Sequence, residues 1–193
     1  MSTNFSPSMP RYRHNGATIT LHWLTLIAIL TAVGAVLVQD YIDSDEITHA
    51  LVTLHRSLGL LVMVMVAFRI FVREPINHSA PTPKMQALQN LVAKLVHAGI
   101  YLLLIAIPLV GWAMSSASGK PMSFFWMFQI PAILSRDRDL ADTLHDWHEW
   151  SAWGLLAMVG MHAVAALWHH YFLRDGVLYS MLPLKRWLRS NSI

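Results

Sequence analysis

Four long apolar runs punctuate the chain, at Thr18–Val38, Leu51–Val72, Leu91–Met114 and Trp147–Leu173. Each reaches the roughly 20 residues that carry an α-helix through about 30 Å of hydrocarbon. Backbone in lipid must satisfy its own hydrogen bonds, so runs of this length predict helices. Polar segments separate them. The first, "QDYIDSDEITHA", is acidic, and the second, "REPINHSAPTPKMQ", has three prolines and is expected to be irregular. The third, "SSASGKPMSFFWMFQIPAILSRDRDLADTLHD", is aromatic-rich and long for a structureless connection, so it reads as a cap lying on the membrane surface. The pattern predicts an all-α integral membrane protein. A four-transmembrane-helix bundle would occupy residues 17–183, between a flexible lead over 1–16 and a basic tail over 184–193.

Composition agrees. The chain is 55% hydrophobic and 13% charged, against about 25% charged for soluble domains. The first run is too long for the apolar region of a cleaved signal, and no A-x-A-like site follows it, so it is expected to be retained. There is no cysteine. That excludes disulfides, thiolate-held iron–sulfur clusters and covalent haem attachment through C-x-x-C-H.

Charge gives orientation. Four spans put both termini and the second connection on one side, with ten basic residues against Glu74 and Asp175. The opposite side holds Arg56, Lys120, Arg136 and Arg138 against nine carboxylates. This asymmetry predicts cytoplasmic N and C termini. The pI near 9.5 then reflects orientation and anionic lipid, and no nucleic-acid partner is expected.

Histidine is the unusual residue. "WHEWSAWGLLAMVGMHAVAALWHHYF" (Trp147–Phe172) is long enough to span a membrane yet carries four imidazoles. Ionisable groups inside a span are costly and mark function. His148, His162 and His169 are 14 and then 7 residues apart, near-heptad steps that share one helical face. At 1.5 Å per residue, His148 and His162 differ in depth by about 21 Å. His55, at the outer start of the second span, is level with His148. His22, near the inner start of the first, lies towards the level of His162 or His169, and His97 competes for the same position. Opposed neutral imidazoles at two depths suit haem iron with both axial positions filled, which passes electrons instead of binding gas. Depth alone leaves the inner pairing open.

Several stretches carry a resemblance: "ITLHWL" (Ile19–Leu24), "LHRSLGLLV" (Leu54–Val62), "AGIYLLLIAIPLVGW" (Ala98–Trp112), "DWHEWSA" (Asp146–Ala152) and "GMHAVAALWHHYFLRDGVLYSMLP" (Gly160–Pro183). Together they resemble the bacterial dihaem cytochrome b561 family. The similarity implies two haem b groups in residues 17–183, the inner iron on His22 and His162 and the outer iron on His55 and His148. It implies a multi-pass protein of the bacterial inner membrane that passes electrons from a periplasmic donor, such as superoxide oxidised to O2, to ubiquinone. A quinone site is implied near Thr20, Trp23 and His169. The alternative is a membrane-anchor cytochrome b relaying electrons between a periplasmic redox protein and the quinone pool. No catalytic residue beyond the haems is expected.

Secondary roles follow from position. Arg56 adjoins His55 and is placed to pair with a haem propionate. Arg69 and Arg73 are read as snorkelling to cytoplasmic headgroups. His97 is read as a helix–helix hydrogen bond, Pro108 and Gly111 as a kink. Asp146 or Glu149 is a candidate to hold the second nitrogen of His148. The outer side sums to −5, which opposes steering of an anion such as superoxide.

Overall fold

The computed structural model describes residues 16–72, 84–174 and 177–182. The lead over 1–15, most of the proline-rich connection and the tail over 184–193 lie outside the described residues. Helix α1 spans Gly16–Gln39, α2 Asp45–Val72, α3 Lys84–Ala117 and α4 Arg138–Trp168. A π-helical turn, His169–Leu173, continues α4, and a short α5 covers Val177–Met181. The four long helices are all long and apolar enough to cross a membrane.

Sequence explains where the helices overshoot the apolar runs. Helix α4 starts nine residues before Trp147 because the Asp137 side chain caps it, accepting from Leu140 N–H at 3.1 Å. Asp139 adds a negative charge to the first turn, where the helix dipole favours it. Residues Arg138–Asp146, read from sequence as part of the cap, are therefore helical. Helix α3 runs unbroken through Pro108, where Gly59 of α2 comes close enough for an added Cβ to touch the proline ring at 4.0 Å.

The cap holds the one departure from all-helical structure among the described residues. Strands β1 (Met122–Phe124) and β2 (Phe128–Ile130) pair antiparallel, with Phe124 opposite Phe128. Phe125 and Trp126 take positive φ (44° and 61°) to close the turn, an uncommon conformation for bulky residues. Ser57 of α2 fixes it. Its buried Oγ accepts from Phe125 N–H at 2.8 Å and lies 2.7 Å from Thr53 O and 3.3 Å from Ser123 O. The cap is thus a hairpin bound to the bundle two residues beyond His55.

Helices pack as two pairs, α1 on α2 and α3 on α4, joined through α2 and α3. The core at the join is Ala28, Ile29, Val62, Val66, Leu104, Ile107 and Leu155. Outward faces carry large exposed side chains such as Leu30, Phe68, Leu102, Trp150 and Val164, the surface a bundle presents to lipid. Among the described residues α4 makes no comparable packing with α1 or α2. Across that separation the histidines face each other.

Candidate haem sites

At the outer level His55 of α2 and His148 of α4 face one another, ring centroids 5.9 Å apart and planes at 76°. Backbone carbonyls fix both rings. His55 Nδ1 donates to Ala32 O at 2.8 Å, and His148 Nδ1 to Ile107 O at 3.1 Å. A carbonyl only accepts, so each Nδ1 carries the proton and each Nε2 lone pair is available to a metal. Neither Asp146 nor Glu149 serves His148: the carbonyl of Ile107 takes its second nitrogen, and Glu149 instead lies 4.0 Å from exposed His145.

Helix α3 accommodates His148 by leaving space. A Cβ at Gly111 would lie 3.0 Å from His148 Cε1 and 3.2 Å from Nδ1, so Gly111 serves close approach. One turn beyond it Ser115, 1% exposed, has a buried Oγ with no hydrogen-bond partner. Arg56 is half-buried beside His55 and has no ion-pair or hydrogen-bond partner among the described residues. An orphan hydroxyl and an uncompensated guanidinium make this level receptive to an anionic group.

At the inner level His22 of α1 faces His162 of α4, centroids 6.5 Å apart and planes at 74°. His97 of α3 lies against His162 at 5.0 Å. Its Nδ1 bonds Ala93 O at 2.6 Å within its own helix, so the helix–helix bond expected for His97 is replaced by ring contact with His162. Arg69 departs further from expectation. It turns inward instead of snorkelling, with Nη1 3.2 Å from His22 Nδ1 and Cζ 5.6 Å from the Tyr101 ring centroid.

A family model described as prokaryotic cytochrome b561 matches residues 13–184. The chain belongs to that family. It is 34% identical over 176 residues to "Cytochrome b561 homolog 2" of Escherichia coli K12, covering 88% of this chain and 91% of that one. It is 32% identical over 173 residues to "Probable superoxide oxidase CybB" of Yersinia pestis, covering 87% and 94%. "Cytochrome b561 homolog 1" of E. coli is 28% identical over 177 residues, covering 90% and 99%. Membership makes this a multi-pass bacterial membrane protein of electron transfer and implies haem b.

The residues fit a cytochrome b561 cofactor. At both levels opposed imidazoles from facing helices would hold haem iron through one ring nitrogen each. Among the described residues no three or more His, Asp or Glu side chains form a group that could hold a metal ion between them.

Beyond the pairs, His169 opens the π-helical turn and lines an apolar hollow of about 430 Å³ with Met161, Val164, Ala165 and Trp168. Trp168 stacks on Phe172 at 4.1 Å. Trp23 and Thr20 do not line this hollow: Trp23 Nε1 donates to Met181 O at 2.8 Å, tying α1 to α5, and Thr20 is exposed on α1.

Proposed function

We propose that this protein is a dihaem b-type oxidoreductase carrying electrons across the bacterial inner membrane, from superoxide at the periplasmic face to ubiquinone at the cytoplasmic face. In this reading both termini are cytoplasmic and residues 17–183 form the dihaem domain. The two opposed imidazole pairs carry it: they sit 14 residues apart on α4, about 21 Å along its axis, most of the depth of a hydrocarbon core. His55 and His148 would hold the outer haem, His22 and His162 the inner one. When bound, haem b supplies one-electron carriers without an open position for oxygen.

The remaining residues serve the two ends. Arg56 and Ser115 would meet a carboxylate of the outer group. Arg136 lies against Gly119, where an added Cβ would come within 3.1 Å of its Cδ, beside Lys120. These cations lie by a hollow of about 370 Å³ between α3 and the hairpin, a local positive patch for an anion on a face that is net acidic. Superoxide gives up one electron and leaves as O2. At the other end two electrons and two protons convert quinone to quinol, with the His169 imidazole hydrogen-bonding a quinone carbonyl in the apolar hollow.

A second reading has its own observation. Asp40, Asp43, Asp45 and Glu46 are all exposed around the α1–α2 turn, an acidic surface suited to a basic redox partner. There the chain is a membrane anchor relaying that partner's electrons to quinone. Stopped-flow mixing of the oxidised, haem-loaded protein with superoxide separates the two. Rapid haem reduction, with quinol formed when ubiquinone is added, supports the first reading. Haems that stay oxidised with superoxide but are reduced by a co-purifying protein establish the anchor.

A further inference from the structure

The two histidine pairs have unlike surroundings. At the outer pair each Nδ1–H is committed to a neutral backbone carbonyl. At the inner pair a guanidinium, Arg69, stands 3.2 Å from the Nδ1 of His22. Arg69 follows His55 on α2 by 14 residues, the step that separates His148 from His162 on α4. At 100° per residue it therefore comes back to within about 40° of the face that bears His55. Arg56, one residue from His55, is turned about 100° from that face, and in the proposed reading a carboxylate of the outer group would neutralise its charge. Helix α2 thus places an imidazole towards the outer pair and a cation towards the inner one.

We propose that Arg69 raises the reduction potential of the inner haem and so makes transfer from outer to inner site downhill. This rests on the reading of His22 and His162 as inner ligands. Arginine only donates and does not deprotonate in proteins, so in this contact Nδ1 of His22 accepts and Nε2 bears the proton; were iron held on Nε2, the proton would move to Nδ1 and the guanidinium would remain beside it as a fixed unit charge. Oxidised iron carries one more positive charge than reduced iron, and a fixed cation beside an axial ligand penalises the oxidised form. Carbonyls accepting from Nδ1–H act in the opposite sense at the outer site, making the imidazoles stronger donors and favouring the oxidised form. The Tyr101 ring beneath the guanidinium, at 5.6 Å, holds the cation in place.

Spectroelectrochemical titration of the full-length, haem-loaded protein tests this in wild type, Arg69→Lys and Arg69→Gln, with haem per chain counted on the same samples. In Arg69→Gln one of the two midpoints should fall by about 59 mV, a tenfold change in a one-electron equilibrium, while the other stays. Arg69→Lys should keep most of the wild-type value. Repeated in a His148→Ala background, the midpoint that falls should be that of the one remaining haem. An unchanged or raised midpoint in Arg69→Gln, equal shifts of both haems, or equal behaviour of the Lys and Gln variants would overturn the proposal. So would loss of haem from the Lys and Gln variants alike, which makes Arg69 a packing residue. Fewer than two haems per chain in the wild type would instead count against the ligand assignment.

Discussion

Replacing Gly111 by alanine drives a methyl group into the outer histidine. The added Cβ would sit 3.0 Å from His148 Cε1, 3.2 Å from Nδ1 and 4.0 Å from Nε2. Carbon atoms pack best at about 3.5–4.0 Å, so the ring must retreat from α3 by about 0.5 Å or more. The pressed edge is the one bonded to Ile107 O at 3.1 Å. That retreat stretches the bond to about 3.6 Å, past the length at which it counts as a hydrogen bond. Overpacking costs about 1–3 kcal/mol, and the lost bond about 0.5–1.5 kcal/mol. A ligand deprived of its carbonyl is a weaker donor, and oxidised iron is held less well. The outer midpoint should rise, by up to about 59 mV if the full 1.4 kcal/mol is expressed in the one-electron couple. The inner midpoint should not move. Low-temperature EPR of the oxidised protein should show one of two low-spin signals displaced, and potentiometry should show the matching midpoint raised. Wild-type EPR and midpoints in a variant that holds two haems would refute the argument, because α3 would then not be what seats His148.

Other substitutions probe the remaining contacts. His55→Ala and His148→Ala should each lower pyridine haemochrome content from two haems per chain to one, and His22→Ala and His162→Ala should do the same while sparing the other spectral component. Ser57→Ala removes the acceptor for Phe125 N–H; a buried polar group left unpaired costs about 1–3 kcal/mol, so the hairpin should gain protease sensitivity near Trp126 at unchanged haem content. His169→Ala should slow quinone reduction at least tenfold while haem reduction by the donor keeps its wild-type rate, as double-mixing stopped flow would show.

The bundle was legible because lipid leaves a spanning chain few choices. Apolar length alone marked the four helices, and heptad-like spacing put His148 and His162 on one face before any partner was known. The structure sets those rings opposite His55 and His22. What stayed illegible was supplied by backbone. No side-chain pattern announces that Ala32 and Ile107 lend their carbonyls to the outer imidazoles. The hairpin escaped notice for a similar reason: "MSFFWMFQI" alternates poorly, and its turn depends on positive φ at Phe125 and Trp126, where no glycine signals it. Arg69 was legible in principle. Basic residues near a span end are ordinarily snorkelling anchors, and that general expectation outweighed its 14-residue distance from His55.

That distance recurs in three of the four helices. His55 and Arg69 on α2, His97 and Gly111 on α3, and His148 and His162 on α4 are each 14 residues apart. At 100° per residue fourteen residues fall about 40° short of four full turns, so nearly the same face returns one layer lower. The outer layer then comprises His55, Gly111 and His148, the inner layer Arg69, His97 and His162. Helix α1 closes each layer differently, with the Ala32 carbonyl outside and the His22 ring inside. Two layers of one architecture thus differ by a few side chains. The outer layer offers carbonyls and a glycine gap to its imidazoles, and the inner layer a cation and a third imidazole ring. On the dihaem reading proposed above, carriers of unequal affinity would favour transfer from the outer layer to the inner one, and one helical repeat with exchanged residues is a sufficient way to make them.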